Sequence, residues 1–226
     1  MQSYRTEGII LQTRPFQDFD AILTVFSIDQ GVIKFIAKGA HRPARRAGMV
    51  TTPLTRAEFV YTKGRGDLLK CSEISVNNHY LPLRQSLGVL EAACAMAQSI
   101  EHSQWPQTPS SDLFNLFNSY LDKIHEMEDP HVLSASYRLK LLRHDGLLRL
   151  APTCAVCAER PELLYMSAGE CVCSAHAFGN GLAFTSDEMA IVCLLTYCRS
   201  FLEVGCLVLT PELRQKITQC FEDCLA

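Results

Sequence analysis

The chain has 226 residues, with 21 lysines and arginines against 24 aspartates and glutamates and a formal charge of −3. Its 48% apolar and 20% charged residues are typical of a folded globular protein and exclude a disordered or collagen-like chain. Taken alone, the mildly acidic total argues against nucleic acid or an anionic membrane as a partner.

Five short segments in the first 80 residues are rich in the β-branched and aromatic residues of strands. Turn-forming residues separate them, and none has the helical period. The predicted strands cover residues 7–13, 21–28, 32–37, 55–62 and 68–76. Several short strands in succession predict a small closed or partly closed β-barrel over residues 1–80.

After Pro82 the apolar residues recur with the helical period. The predicted helices cover residues 83–100, 112–127, 130–146, 189–201 and 211–224. Asp129 before Pro130, and the capping box from Thr185 to Glu188, mark two helix starts. The predicted fold class is α+β multidomain, with a helical domain at 81–226 that contains a cysteine-rich insert at 151–180.

Cysteine is unusually frequent, with 11 residues. The N-terminal sequence has no apolar core of a signal peptide, and the longest apolar stretch, Met189 to Cys198, is about half of a membrane span. We therefore expect a cytoplasmic protein without a membrane segment, whose thiols are reduced and partly bound to a metal.

The metal prediction rests on two pairs of candidate ligands, each pair separated by two residues. Cys154-x-x-Cys157 is separated by 15 residues from Cys173-x-x-His176, which is the arrangement of a structural zinc site. Four such ligands fill a tetrahedron and leave no position for a substrate, so one Zn²⁺ would stabilise the fold. Cys171 is an alternative to Cys173, and a set of buried free thiols is the alternative to a metal site.

The charge is unevenly distributed along the chain. Residues 1–80 have 11 basic and 7 acidic residues, whereas residues 81–226 have 10 and 17, so the barrel is +4 and the rest −7. Between Gln30 and Ala57 there are six lysines and arginines and no acid. Because phosphate contacts provide most sequence-independent affinity, this run predicts a nucleic-acid surface, although a solvated loop without a partner is the alternative.

The predicted nucleic-acid-binding residues lie in this run and in neighbouring barrel loops. They are Arg14, Lys34, Lys38, His41, Arg42, Arg45, Arg46, Arg56, Lys63 and Arg65. Four aromatic residues are candidates for base stacking, although strand alternation predicts that most of them belong to the core. They are Phe16, Phe19, Phe35 and Tyr61.

Three stretches, residues 6–14, 37–43 and 137–146, precede the two ligand pairs. In this order they resemble the signatures of the bacterial DNA repair protein RecO family, and the resemblance covers essentially the whole chain. It implies an oligonucleotide/oligosaccharide-binding (OB) barrel, a helical domain and a zinc module. His176 departs from the family pattern, which usually has a fourth cysteine there.

The resemblance also implies a function. A family member is a non-catalytic recombination mediator that binds single- and double-stranded DNA and anneals complementary strands. It acts with RecR to load RecA onto strands coated by single-strand-binding protein, in the cytoplasm and in association with the nucleoid. Lys38, Arg42 and Arg46 correspond to the family's basic loop, whereas Ala44 and Arg45 stand where lysine and serine are common.

No arrangement of catalytic residues in the sequence competes with this interpretation, so the chain is not predicted to be an enzyme. Two other hypotheses remain open at this point. One is a protein-interaction adaptor, in which the acidic helical domain binds partners. The other is an RNA-binding OB protein without annealing activity.

Overall fold

The computed structural model describes residues 2–40, 51–64, 68–167, 169–177 and 181–225. The chain divides into two compact units, Met1–Asp122 and Lys123–Ala226. The assignment of domains to residues 1–80 and 81–226, with an insert at 151–180, stays a prediction.

Five strands of the described chain form the closed barrel that the sequence predicts. They are β1 (Ser3–Phe16), β2 (Asp20–Ser27), β3 (Gly31–Ala37), β4 (Arg56–Thr62) and β5 (Leu68–Asn78). The barrel order is β1-β2-β3-β5-β4, in which only the pairing of β3 with β5 is parallel. Strand β1 is longer than predicted because its first half pairs with β4 and its second half with β2.

Strand alternation fills the barrel with apolar side chains. The rings of Phe35 and Phe59 stack with their centroids 5.1 Å apart, and Tyr61 lies against Phe35 at 5.2 Å. Phe35 and Tyr61 are 0% and 2% exposed, so these two stacking candidates are core residues. Phe19 is 46% exposed and Phe16 is half-buried, so both remain accessible.

Two helices complete the first unit, α1 (Leu87–Ser103) and α2 (Ser111–Lys123). Helix α1 begins four residues later than predicted, because Leu81–Arg84 form a separate 3-10 turn that contains Pro82. Helix α2 packs on the outside of the barrel through Phe114, whose ring lies 5.8 Å from that of Phe26. It ends earlier than predicted, where a 3-10 turn, Ile124–Glu126, begins.

The second unit contains four helices and a three-stranded sheet within the described residues. The helices are α3 (Pro130–His144), α4 (Ser186–Tyr197), α5 (Phe201–Gly205) and α6 (Pro211–Leu225). The strands are β6 (Leu163–Ser167), β7 (Glu170–Val172) and β8 (Leu182–Thr185), in the antiparallel order β7-β6-β8. No helix in the described part of the chain is both long and apolar enough to cross a membrane.

Both predicted helix caps of this unit are confirmed. The Asp129 side chain accepts a hydrogen bond from the backbone N–H of His131, and Thr185 and Glu188 form a reciprocal capping box. The single predicted helix over 189–201 is wrong. Its chain leaves the helical conformation at Cys198, and Ser200 caps the short helix α5.

Candidate nucleic-acid surface and candidate metal centre

One row of residues crosses the outside of four barrel strands. Arg14 pairs with Ile22, Ile22 with Ile36, and Ile36 with Lys70. Their chain neighbours Leu23, Phe35 and Leu69 belong to the barrel core, so alternation turns the row outward. The two ends are exposed cations, and the two central isoleucines are half-buried.

Two more exposed cations extend this row. Lys34 lies two residues before Ile36 on the same side of β3, and Lys38 follows the strand. We call Arg14, Ile22, Lys34, Ile36, Lys38 and Lys70 the basic barrel face. Within the described residues, none of its four cations forms an ion pair.

Two other cations of the barrel have acidic partners. On β1 and β4, Arg5 pairs with Glu58 at 3.0 Å and Arg56 with Glu7 at 2.7 Å. Paired charges cancel at a distance, whereas the unpaired cations of the basic barrel face add to one another. The described barrel cations therefore fall into two groups, those of the basic barrel face without an ion-pair partner and those paired between β1 and β4.

Two predicted contact residues have partners within the barrel unit. Arg56 also donates to Oδ1 of Asn118 at 2.9 Å, and its hydrogen bond lowers the pKa of Glu7. Lys63 is exposed, with its Nζ 5.0 Å from the centre of the Tyr4 ring. Five predicted contact residues lie outside the described residues: His41, Arg42, Arg45, Arg46 and Arg65.

Lys70 is the one cation of the basic barrel face that the sequence pattern does not predict. Its position after Leu68 and Leu69 gives no charge run, so the sequence offers no local signal. It joins the basic barrel face only because β5 pairs in parallel with β3 and places Lys70 beside Ile36.

The second unit brings together the four predicted metal ligands. The ligand atoms of Cys154, Cys157, Cys173 and His176 all lie within 4.8 Å of one another. The Cys157 and Cys173 sulfurs are 3.9 Å apart, and Nδ1 of His176 lies 3.6 Å from the Cys154 sulfur. Zinc–sulfur bonds of about 2.3 Å in a tetrahedron separate two sulfurs by about 3.8 Å, so the cluster could bind such a metal.

Tight turns bring each ligand pair together, as the spacing predicts. The N–H of Ala158 donates to the carbonyl oxygen of Cys154 at 2.9 Å, and that of His176 to Cys173 at 3.0 Å. Burial disfavours the thiolate of Cys154, but backbone hydrogen bonds to it outweigh this effect and lower its pKa to about 6. A thiolate at neutral pH is the form that binds a metal.

Cys171 lies apart from this cluster. Its side chain is buried, and its sulfur is 3.7 Å from that of Met189 on α4. Burial raises the pKa of this thiol. Of the two alternatives that the sequence left open, the structure thus places Cys173 with the other three ligands and Cys171 in an apolar contact.

Comparison with known proteins shows which family both parts of the chain resemble. Residues 1–80 match the family model "Recombination protein O N terminal" and residues 84–226 match "Recombination protein O C terminal". The chain is 27% identical over 217 residues to the DNA repair protein RecO of Chlamydia pneumoniae, covering 95% of this chain and 86% of that protein. It is 26% identical over 218 residues to the RecO of Exiguobacterium sibiricum, covering 95% and 87%.

Proposed function

The chain belongs to the recombination protein O (RecO) family of DNA repair proteins, and from this premise we propose that it is a non-catalytic recombination mediator. It binds single- and double-stranded DNA and anneals complementary strands. The observation that carries the proposal is the basic barrel face. It combines four cations, which have no ion-pair partner among the described residues, with a half-buried apolar centre in a protein of formal charge −3.

The basic barrel face offers cations and apolar side chains to a single strand. Lys34, Lys70 and Arg14 can contact phosphates, and Ile22 and Ile36 offer an apolar surface to the bases between them. Contacts to backbone and base planes, without hydrogen bonds to base edges, do not distinguish sequences. Such binding suits a protein that must act on any complementary pair.

Annealing then requires no chemical step. Two strands repel each other through their phosphates, and bound cations reduce this repulsion while the bases pair. The predicted contact residues Arg42, Arg45 and Arg46 follow β3 in the sequence, and we propose that they also bind phosphates. The proposed partners are a RecR-like protein, single-strand-binding protein and a RecA-like recombinase, in the cytoplasm at the nucleoid.

The metal cluster has a structural role in this proposal. Cys154, Cys157, Cys173 and His176 would hold one Zn²⁺, and four protein ligands leave no position for a substrate. The metal would fix the turns of both ligand pairs, which otherwise are short segments with little core of their own.

Binding and annealing of labelled complementary strands across a salt series test the proposal. The five exposed cations Arg14, Lys34, Lys38, Lys63 and Lys70 predict that log affinity for a single strand falls with log salt at a slope of about −3.5 or steeper. The triple variant Lys34→Gln/Lys38→Gln/Lys70→Gln should make this slope shallower by about 2 and slow annealing.

Arg5→Gln is the matched control, because Arg5 is exposed but is paired with Glu58 of β4. It should bind and anneal as the parent does. A flat salt profile, or a triple variant with unchanged affinity, would refute the DNA-binding role and favour a protein-interaction adaptor. Stronger binding to RNA than to DNA of the same sequence would favour an RNA-binding protein.

A further inference from the structure

A second candidate site lies entirely within the second unit. A groove of about 960 Å³ runs beside the metal cluster, where the chain after α3 passes β7 and the end of α4. Its lining includes Arg143, Leu147, Arg149, Glu170 and Tyr197. This volume is large enough to hold more than one nucleotide.

The rim of the groove is basic although the unit is acidic. Residues 123–226 have nine basic and thirteen acidic residues, a formal charge of −4. Arg143 and Arg149 nevertheless both line the groove. Two of the nine cations of the unit therefore lie in the lining of the groove.

The acid nearest to Arg149 neutralises it weakly. Oε1 of Glu170 is 3.6 Å from Nη1 of Arg149, and the side chains are 47% and 82% exposed. An exposed pair at this distance is screened by water and salt, so Arg149 remains available to a phosphate.

Tyr197 gives the groove a flat, fixed surface. Its hydroxyl donates to the carbonyl oxygen of Leu150 at 2.9 Å and accepts from the N–H of the same residue at 3.2 Å. Tyr197 stays 41% exposed, and the guanidinium carbon of Arg143 lies 4.6 Å from the centre of its ring. An aromatic ring and a guanidinium plane are the two surfaces on which proteins stack unpaired bases.

We propose that this groove binds a short segment of single-stranded nucleic acid, with a base stacked on the Arg143–Tyr197 pair and phosphates bound by Arg143 and Arg149. An acidic peptide would use the same cations, but it has no need of a fixed aromatic ring with an exposed face. The combination of the ring, the guanidinium beside it and the weakly paired Arg149 favours a nucleotide strand.

This inference rests on the proposed function and adds a second strand-binding site to it. An annealing protein must hold two strands at once, and one barrel face binds one strand. A site in the second unit would bind a second strand.

Photochemical crosslinking of the full chain tests the site directly. Single strands that contain 5-iododeoxyuridine crosslink to the aromatic residues on which the base stacks, and mass spectrometry of the digested complex identifies the residue. We expect a crosslink at Tyr197, which the variant Arg143→Gln/Arg149→Gln should reduce about tenfold. The same variant should make the salt slope for single-strand binding shallower by about 1.4.

Matched variants distinguish binding in the groove from a general loss of charge or of folding. Arg160→Gln removes one exposed cation of the same unit outside the groove and should leave crosslinking unchanged. Tyr197→Phe keeps the ring and should retain most of the crosslinking, whereas Tyr197→Leu should lower single-strand affinity about fivefold or more. The arginine variants change only exposed side chains, so they should fold even if Tyr197→Leu does not.

The outcomes distinguish this inference from the proposed function. Failure of the parent protein to bind any oligonucleotide overturns both. Binding and annealing that need only the basic barrel face, with no crosslink at Tyr197 and unchanged arginine variants, overturn this inference alone. Protection of Tyr197 by a glutamate-rich peptide but by no oligonucleotide would overturn it in favour of a peptide site.

Discussion

The Nε of Arg56 lies 2.7 Å from Oε1 of Glu7, and this ion pair removes Arg56 from the unpaired cations of the barrel. The pair joins β1 to β4, and the same guanidinium reaches Asn118 on α2. Asn118 in turn accepts a hydrogen bond from the Tyr80 hydroxyl at 2.6 Å. Arg56 therefore links the barrel to its outer helix, although its place in a basic sequence run predicts a phosphate contact.

We therefore expect loss of the Arg56 charge to lower stability and loss of the Lys70 charge to weaken DNA binding. Arg56→Gln should lower the free energy of unfolding by about 1–2 kcal/mol, because it leaves the partly buried Glu7 carboxylate without its cation. It should leave the salt dependence of DNA binding unchanged. Lys70→Gln should leave stability within about 0.5 kcal/mol and make the salt slope shallower by about 0.7.

Urea unfolding followed by circular dichroism, together with binding of one strand at several salt concentrations, measures both effects. A loss of DNA affinity without a loss of stability in Arg56→Gln would show that the Glu7 pair opens to receive phosphate.

The Glu7 carboxylate should make the first unit sensitive to acid. Its hydrogen bond with Arg56 lowers its pKa below 4.5 against the opposing effect of burial. A lowered pKa stabilises the fold above about pH 4.5, and this stabilisation is lost as the pH falls through the pKa of the folded state. Glu7→Gln should thus be about 1 kcal/mol less stable than the parent at pH 7.

Thermal melts from pH 7 down to pH 3 check this dependence. The difference between the parent and Glu7→Gln should become smaller as the pH falls, because the parent loses the charge that the variant lacks. A constant difference over this range would assign the effect to packing. Glu58→Gln is the control, since its partner Arg5 is 73% exposed and the pair is weak.

The metal cluster predicts a specific pattern of substitutions. His176→Cys should keep one zinc per chain, because a thiolate is a suitable zinc ligand, whereas His176→Ala leaves three ligands and should lose most of the metal. Metal loss should lower the melting temperature by about 5 °C or more. Elemental analysis and thermal melts of both variants give the test.

Two cysteine controls refine this test. Cys206→Ser changes an exposed thiol and should alter neither metal content nor stability. Cys171→Ser should keep the metal while losing the buried contact with Met189. Loss of zinc from Cys171→Ser with retention in Cys173→Ser would contradict the ligand set.

Local signals explain what the sequence could predict. The capping side chains of Asp129 and Thr185 bond to backbone within three residues, so the starts of α3 and α4 depend on nearby sequence alone. The strands β1 to β5 are also predicted from local sequence, because each is a short run of β-branched and aromatic residues between turn residues. The interruption after Tyr197 was missed because the apolar residues continue through it, although Ser200 marks a new helix start.

The features that the sequence could not predict depend mainly on contacts between residues distant in the chain. The place of Lys70 beside Ile36 follows from barrel closure, which no local pattern encodes. The strands β6, β7 and β8 have only three to five residues, which is too short for a clear sequence pattern. The groove was missed because Arg149 and Tyr197 are distant in sequence and meet only when the chain after α3 passes α4.

Gly169 connects the metal module to this groove and offers a final test. It has a φ of +78°, and a Cβ atom there would lie 2.0 Å from the carbonyl oxygen of Leu147. Gly146, at the end of α3, has a similar φ of +75° but open space around it. Ala at either position has the strain of the left-handed conformation, whereas only Gly169→Ala also has the backbone clash.

Gly146→Ala should therefore cost about 1 kcal/mol of unfolding free energy, and Gly169→Ala about 2–4 kcal/mol. Because the carbonyl oxygen of Gly169 accepts from the N–H of Arg149 at 2.8 Å, the clash should also displace Arg149 from the groove rim. Urea unfolding measures the first effect and crosslinking at Tyr197 the second. Equal destabilisation by both substitutions would mean that the chain after α3 moves away from Gly169 without resistance, and the groove would then have no fixed wall on that side.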